Sequence, residues 1–261
     1  MHHVPDLNDP IATARLALAC LDLTSLGADD TDDDIVHLCE RAQGRHGAVV
    51  AVCVWPRFAA RARRELPATI AVAAVANFPD GGADIARALR DVQEIVAAGA
   101  QEVDVVLPFE RLRAGDERAV TRLLDAVRSA CDGLRLKVIL ETGVLAEVGP
   151  ITRAAQLALA AGADFLKTST GKRPVGATPM AAEWMLRAIA ADPASAGRVG
   201  FKAAGGIRTV ADAAVYLASV RDILGAAALG PQRVRIGASS LLDDILAVLG
   251  DRPAAGAQGS Y

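Results

Sequence analysis

Lysine is rare in this chain, and its four occurrences lie where a reactive amine could act. Of the 28 basic residues only four are lysines, namely Lys137, Lys167, Lys172 and Lys202, and the rest are arginines. A lysine amine can lose its proton and attack a carbonyl carbon, whereas an arginine stays protonated. Compositional drift accounts for the excess of arginine but not for the positions of the lysines. We therefore expect at least one lysine to serve as a nucleophile.

The segments that must position these lysines are short β-branched runs that alternate with helical patterns. Apolar residues recur at helical spacing between the runs, for example at Ile85, Leu89, Val92 and Val96. The strand candidates are Cys20 to Leu23, Val49 to Val52, Ile70 to Val75, Val103 to Val106, Leu136 to Leu140, Phe165 to Lys167, Val199 to Lys202, and Val234 to Ile236.

Strands separated by helices pair in parallel, and eight of them in about 250 residues is typical of a (β/α)8 barrel. We predict an α/β fold, a (β/α)8 TIM barrel with a short N-terminal arm, as a single catalytic domain over residues 1–250. A flexible tail is expected over residues 251–261. An open doubly wound sheet is the alternative, but the G-x-G-x-x-G turn expected after its first strand is missing.

Composition excludes several classes of function. The net charge of −3 argues against nucleic acid as a partner. No apolar run approaches the ~20 residues of a membrane span, and the first ten residues lack a signal-peptide core. The four cysteines form no C-x-x-C pair and the four histidines no H-x-x-x-H motif. We expect a cytoplasmic protein with reduced thiols and without a metal site.

Ionisable and polar residues cluster at the C-terminal ends of the predicted strands, where barrel enzymes carry their active sites. They are Asp22, Thr24, Cys53, Asp104, Lys167 and Lys202, with Lys172 in the loop after the sixth strand. Structural salt bridges among them are the alternative interpretation. Because burying an unpaired charge is costly, several such groups on apolar strands favour a shared site.

Glycine and serine residues follow the last two predicted strands, where barrels often bind phosphate. Glycines let backbone N–H groups approach an anion, and serine hydroxyls add further donors. The candidate phosphate-binding residues are Gly171, Gly205, Gly206, Gly237, Ser239 and Ser240. Together with the lysines, they indicate an enzyme that acts on a small phosphorylated molecule.

Several motifs resemble those of the deoxyribose-phosphate aldolase family. They are CLDLT, VCVWPRF, EVDVVLPF, LKVILETG, ADFLKTSTGK, GFKAAGGIRT and RIGASSLL, in the family's order from about Cys20 to Leu242. The resemblance implies a class I aldolase of deoxyribonucleoside catabolism. Such an enzyme cleaves 2-deoxy-D-ribose 5-phosphate reversibly to D-glyceraldehyde 3-phosphate and acetaldehyde, without a metal or an organic cofactor.

The resemblance also implies roles for individual residues. Lys167 matches the lysine that forms the Schiff base, Lys202 the second active-site lysine, and Asp104 the proton-relay aspartate. Asp22 and Lys172 match positions that assist substrate binding, and the glycines and serines above match the phosphate loops. Tyr261 matches a catalytic tyrosine that ends many members of the family. Cys53 is expected to pack beside the substrate, and Lys137 and Glu141 to form a polar network under the site.

Two rival functions stay open at this level. One is a Schiff-base aldolase of the same fold that acts on another phosphosugar. The other is a phosphosugar-binding barrel without catalytic activity, against which the retention of Lys167, Lys202 and Asp104 argues. A homodimer is one assembly that the sequence allows.

Overall fold

Eight parallel strands close into a barrel in the computed structural model, which describes residues 5–250. Each strand pairs with its sequence neighbours, and the last strand pairs with the first. The strands are β1 (Leu21–Thr24), β2 (Ala51–Val54), β3 (Ala71–Ala76), β4 (Glu102–Val106), β5 (Arg135–Ile139), β6 (Phe165–Lys167), β7 (Gly200–Ala204) and β8 (Val234–Ala238). The predicted (β/α)8 barrel is confirmed, and the open-sheet alternative is wrong.

Helices cover the outside of the barrel between the strands. They are α1 (Pro10–Ala19), α2 (Asp32–Arg41), α3 (Pro56–Glu65), α4 (Ile85–Ala97), α5 (Phe109–Arg113), α6 (Glu117–Ala130), α7 (Thr142–Leu145), α8 (Val148–Ala160), α9 (Pro179–Ala191), α10 (Val210–Leu224) and α11 (Leu241–Val248), with a 3-10 turn at Ala226–Ala228. Within residues 5–250, no helix combines the length and apolar character that crossing a bilayer requires.

The N-terminal arm is mostly helical rather than extended. Pro10 opens α1 and Asp9 caps it, because the Asp9 side chain accepts a hydrogen bond from the backbone N–H of Ile11. Ala14, Ala17 and Leu18 of this helix are buried. The segment before β1 therefore contributes to the hydrophobic core instead of standing apart from it.

Alternation along each strand decides which residues enter the barrel. Successive side chains of a strand point to opposite faces, so every second residue faces inward. In β4, Val103 and Val105 pack outward under the helices while Glu102 and Asp104 face inward, and all four are buried. The same alternation places charged residues of several other strands in one interior.

Candidate active site

A cluster of buried charges fills the interior of the barrel. Seven ionisable side chains from β1, β4, β5, β6, β7 and β8 are each at most 3% exposed. We call them the ion network: Asp22, Glu102, Asp104, Lys137, Lys167, Lys202 and Arg235. Isolated charges would be strongly disfavoured here, so each must find a partner of opposite sign.

Asp104 is the hub of the ion network. Its Oδ2 accepts hydrogen bonds from Lys167 Nζ and Lys202 Nζ, both at 2.8 Å. Its Oδ1 accepts from Lys137 Nζ at 2.7 Å. Register explains this convergence, because Asp104 pairs with Lys137 across β4 and β5 and Lys167 pairs with Lys202 across β6 and β7. Two amines that could exchange protons with one carboxylate oxygen thus lie side by side.

The remaining carboxylates connect the network to β8. Asp22 accepts from Lys202 Nζ at 2.5 Å and from Arg235 Nη1 at 2.7 Å. Glu102 accepts from Arg235 Nη2 at 2.9 Å and lies 2.5 Å from Lys137 Nζ. Neither Glu102 nor Arg235 was among the site residues predicted from the sequence. For Glu102 the available signal was its position two residues before Asp104, on the same face of the strand. Arg235 is the one charged residue of β8, and its strand offers no such pattern.

Burial and neighbouring charges shift the lysines in different directions. Burial lowers the pKa of Lys167, and the Lys202 ammonium lowers it further, against the opposing effect of Asp104. The net shift of the Lys167 pKa is downward. Burial also disfavours charged Lys137 and Lys202, but their carboxylate neighbours raise both pKa values overall. Lys167 is therefore better suited than either neighbour to supply a neutral, nucleophilic amine.

The three carboxylates of the network are ionised at neutral pH. Burial alone would raise the pKa of Asp22, Glu102 and Asp104, but the surrounding ammonium and guanidinium groups outweigh it. Each pKa lies below its ordinary value. The carboxylates can therefore accept protons during a reaction only while a neighbouring cation is lost or moved.

A pocket of about 490 Å³ opens above the ion network at the C-terminal ends of the strands. Lys167 lines this pocket, whereas Asp22, Asp104 and Lys202 are buried next to it and are not among its lining residues. The pocket wall includes most of the residues predicted to bind substrate or phosphate: Thr24, Gly171, Lys172, Gly205, Gly206, Gly237, Ser239 and Ser240. The Lys167 side chain thus borders the space in which a substrate would fit.

The part of the pocket wall after β7 has the backbone geometry of an anion site. Gly205 and Gly206 have φ of 87° and 88°, a region in which residues other than glycine are strained. A Cβ added to Gly176 would lie 2.4 Å from the Gly205 carbonyl oxygen, so these backbones need glycine to approach each other. Ser240 precedes α11, so the N-terminus of that helix also opens toward the pocket.

Lys172 spans the mouth of the pocket. Its Nζ donates to the Leu26 carbonyl oxygen at 2.6 Å, in the loop after β1. Trp55 holds the same loop from the other side through a 2.9 Å hydrogen bond from its indole Nε1 to Gly27 O. Lys172 is therefore at the rim of the pocket, above the ion network.

The comparisons with known proteins agree on one family. A family model described as DeoC/LacD family aldolase matches residues 16–247. A deoxyribose-phosphate aldolase of Agrobacterium fabrum (strain C58 / ATCC 33970) is 46% identical over 258 residues, which cover 97% of this chain and 98% of the relative. The chain belongs to the DeoC/LacD aldolase family.

Solved structures of such aldolases share the barrel. A candidate deoxyribose-phosphate aldolase from Toxoplasma gondii ME49 matches with a TM-score of 0.85 at 26% identity, over 94% of this chain and 99% of that one. The deoxyribose phosphate aldolase of Aeropyrum pernix, whose structure is tetrameric, matches with a TM-score of 0.71 at 26% identity, over 93% and 92% of the two chains.

Other predicted residues of the aldolase are also placed by the structure. The Cys53 thiol is buried 3.8 Å from Asp104 Oδ2, and burial raises its pKa, so its thiolate is disfavoured. Glu141 is buried and accepts a 2.5 Å hydrogen bond from Thr170 Oγ1, which anchors the loop after β6. These positions fit a packing role for Cys53 and a supporting role for Glu141. Tyr261 lies outside the described residues.

A larger groove of the aldolase lies on the outer surface, away from the ion network. It measures about 670 Å³ between α8 and α9 and is lined mainly by apolar residues, including Val148, Leu159 and Trp184. No lysine borders it in the described part of the chain. Size alone therefore does not identify the active site of this barrel.

Proposed function

We propose that this aldolase reversibly cleaves 2-deoxy-D-ribose 5-phosphate to D-glyceraldehyde 3-phosphate and acetaldehyde through a Schiff base on Lys167. One observation carries the proposal: Lys167 lines the pocket, is bound to Asp104, and has a lowered pKa beside two lysines whose pKa values are raised. The 46% identity to a deoxyribose-phosphate aldolase supports this substrate.

The reaction would begin when neutral Lys167 adds to the C1 aldehyde of the open-chain sugar and water leaves. The resulting iminium ion withdraws electrons, so the C2–C3 bond can break when a base takes the proton of the C3 hydroxyl. Glyceraldehyde 3-phosphate departs and an enamine remains on Lys167. Protonation of the enamine at C2, followed by hydrolysis, releases acetaldehyde and regenerates the amine.

Asp104 and Lys202 are the groups we assign to proton transfer. Asp104 Oδ2 is 2.8 Å from both amines, so one carboxylate could exchange protons with either lysine, directly or through a water molecule. The fixed Lys202 cation would also favour the neutral form of Lys167 between turnovers. Asp22 holds Lys202 in place and completes this arrangement.

We assign the glycine and serine loops to the substrate phosphate. Backbone N–H groups near Gly205, Gly206 and Ser239 would donate to the phosphate oxygens, and the Lys172 ammonium at the pocket rim would add a positive charge. Thr24 and Cys53 would lie near the sugar. Tyr261 keeps its proposed catalytic role from the sequence resemblance alone.

Borohydride trapping tests the proposal. The protein is incubated with 2-deoxyribose 5-phosphate and sodium borohydride, and the modified peptide is identified by mass spectrometry. We expect a reduced adduct on Lys167 and none in the Lys167→Arg variant, because arginine keeps the charge but cannot form the imine. An adduct on another lysine would overturn the role of Lys167, and a folded protein that binds the sugar phosphate without any adduct would contradict the aldolase mechanism.

A substrate panel separates this function from its nearest rival. Cleavage of another phosphosugar at a higher kcat/KM than 2-deoxyribose 5-phosphate would keep the Schiff-base chemistry but overturn the proposed substrate. The trapping experiment and the panel therefore test the reaction and the substrate separately.

We further infer a cytoplasmic protein that works without nucleic acid and self-associates. The net charge is negative, and the four cysteines, all within the described residues, are buried and unpaired, which suits a reducing compartment. A homodimer is the proposed assembly, and light scattering after size exclusion would distinguish it from a monomer or a tetramer.

A further inference from the structure

The ion network holds more cationic groups than carboxylates. In the described barrel interior, four buried basic side chains face three buried carboxylates. Arg135 contacts Glu102 at 2.7 Å from below, but its side chain is 32% exposed and therefore partly screened by solvent. An unbalanced buried charge is costly. The excess of one cation therefore favours the loss of a proton from one of the four buried basic groups.

The contacts identify which group that is. Lys137 Nζ lies within 3.4 Å of three carboxylates, those of Asp22, Glu102 and Asp104. Lys202 Nζ contacts two, and Lys167 Nζ contacts Asp104 alone. The ammonium form of Lys167 therefore has the least support, in agreement with its lowered pKa.

Arg235 is the member of the network that cannot become neutral. Its guanidinium contacts both Asp22 and Glu102, and its Nε donates to the Pro231 carbonyl oxygen at 2.6 Å. A guanidinium stays protonated in proteins, unlike the three lysines. It permanently compensates negative charge that would otherwise stabilise a lysine ammonium.

We propose that Arg235 is a positioning residue of the reaction: its fixed charge on Asp22 and Glu102 leaves one cation in excess, so that Lys167 can hold its amine neutral for attack. The proposal rests on the proposed role of Lys167 as the nucleophile. Arg235 acts from the far side of the network, through the ion pairs Arg235–Asp22, Asp22–Lys202, Lys202–Asp104 and Asp104–Lys167.

One further buried carboxylate, Glu141, interacts with the charge of Lys167 from the loop after β5. Burial raises its pKa, its side chain accepts a hydrogen bond from Thr170, and it is unchanged in every variant below, so the direction of each expected shift does not depend on it. Inward-facing titratable residues come from seven of the eight strands, and β3 contributes only Ala71, Ala73 and Val75 at its inward positions. The strands supply Asp22, Cys53, Glu102, Asp104, Arg135, Lys137, Lys202 and Arg235 around Lys167. From the mouth, Asp30, Lys172 and Arg208 line the pocket, and Glu141 lies behind Thr170.

Removing the fixed charge should make Lys167 harder to deprotonate. In Arg235→Met, three carboxylates would face three lysines, so all three ammonium forms are needed for balance and the pKa of Lys167 rises. Trapping and turnover need the neutral amine, so both rates fall at low pH, and we call this part of each pH profile the acidic limb. In Arg235→Met the acidic limb should move to higher pH. A rise of roughly one unit corresponds to about tenfold slower trapping at a pH below the limb.

The opposite charge change should move the limb in the opposite direction. Glu102→Gln removes one carboxylate and increases the cationic excess, so the acidic limb should move to lower pH. The double variant Arg235→Met/Glu102→Gln restores an excess of one cation, and its limb should return toward that of the unmodified protein. A residue that only supports packing would not produce opposite shifts or mutual compensation.

Two further variants serve as controls. Arg233→Met makes the same chemical change two residues away, where the guanidinium donates, within the described chain, to the carbonyl oxygens of Ala196 and Val199. We expect it to leave the pH of the limb unchanged even if it lowers stability. Arg235→Lys retains the charge and should shift the limb less than Arg235→Met.

The experiment is borohydride trapping of the full chain with 2-deoxyribose 5-phosphate across pH, with folding checked by circular dichroism. Opposite shifts in Arg235→Met and Glu102→Gln would support the proposal, and a limb unmoved in both would overturn it. If Arg235→Met does not fold, Arg235→Gln, which also removes the charge, takes its place with the same expected shift. If the unmodified protein forms no adduct on Lys167, the proposed function fails instead.

Discussion

The interior of the barrel and its outer helices use charge in opposite ways. Inside, the members of the ion network are at most 3% exposed and each contacts at least one partner of opposite sign. On the outside, pairs such as Arg153–Glu117 and Arg187–Glu183 have side chains that are between 41% and 67% exposed to solvent. The same chemical groups therefore work in very different dielectric surroundings.

The comparison indicates which charged residues contribute to the proposed reaction. A buried ion network often gives no more stability than apolar residues of the same size would, because desolvation offsets the attraction. In the mechanism we propose, its value lies in setting the protonation of Lys167 and in fixing Asp104 between two amines. The outer pairs set no protonation state that the reaction needs, and solvent screens them.

The largest effect should follow from removing the hub. Asp104→Asn takes away a carboxylate that contacts Lys137, Lys167 and Lys202, so both proton transfer and the placement of the amines are lost. We expect kcat/KM to fall by roughly 10²–10⁴-fold, as for other losses of a general acid–base group. Unfolding in urea should also show a loss of stability, because the three amines then share fewer carboxylates.

A matched control for Asp104 lies on the barrel exterior. Asp164 bonds Arg128 at 3.1 Å and the Leu136 N–H at 2.8 Å, and its side chain is 35% exposed. Asp164→Asn makes the same chemical change and should alter stability far more than kcat/KM. Activity of Asp104→Asn that stays within a few-fold of the unmodified protein would contradict the distinction between interior and exterior.

A smaller effect is expected where the network meets the phosphate loops. Gly237 lies on β8 beside Lys202, and an added Cβ would be 2.9 Å from Lys202 Cε and 3.1 Å from Ala204 Cβ. Gly237→Ala should displace Lys202 and lower kcat/KM by about 10- to 100-fold, because misplacing a reacting group by ~1 Å can have effects of that size.

The contrasting glycine substitution is Gly149→Ala on the outer helix α8. An added Cβ there meets nothing within 4 Å, and alanine favours helix more than glycine does. We expect unchanged kinetics and a Tm that stays equal or rises. Equal kinetic losses in the two variants would show that the effect of Gly237 is general destabilisation and not crowding of Lys202.

Much of the fold could be predicted because the strands are short β-branched runs between clear helical patterns. β6 was predicted with its observed bounds, Phe165–Lys167. The second strand was predicted two residues early, at Val49 instead of Ala51, because a small hairpin precedes it. Gln43–Gly44 pairs with Gly47–Ala48, and the Val49 N–H bonds the Ala42 carbonyl, so these residues stay outside the barrel. Such tertiary hydrogen bonds leave no local pattern.

Site residues could be predicted where the residue type alone indicates a chemical role. They could not be predicted where the strand register determines whether a side chain faces the barrel interior. Lys167, Lys202 and Asp104 were predicted to share one site, and the structure brings them together. Glu102 was missed because it precedes the predicted strand Val103 to Val106, and Arg235 because an isolated charge in a strand can face either the interior or the solvent. Their inward orientation follows from the outward packing of Val103, Val234 and Ile236, a pattern that becomes interpretable once all eight strands are aligned.

The smallest effect is expected at the exterior pair Arg153–Glu117, which joins α8 to α6. Arg153 donates to both Glu117 oxygens at 2.6 and 2.7 Å, distances within the range of those in the ion network. Glu117→Gln should nevertheless leave kcat/KM unchanged and move Tm by no more than about 2 °C, since exposed pairs contribute little. Scanning calorimetry in low and high salt checks this. A larger, salt-sensitive drop in Tm would mean that hydrogen-bond geometry, and not burial, decides what a charge pair contributes to this barrel.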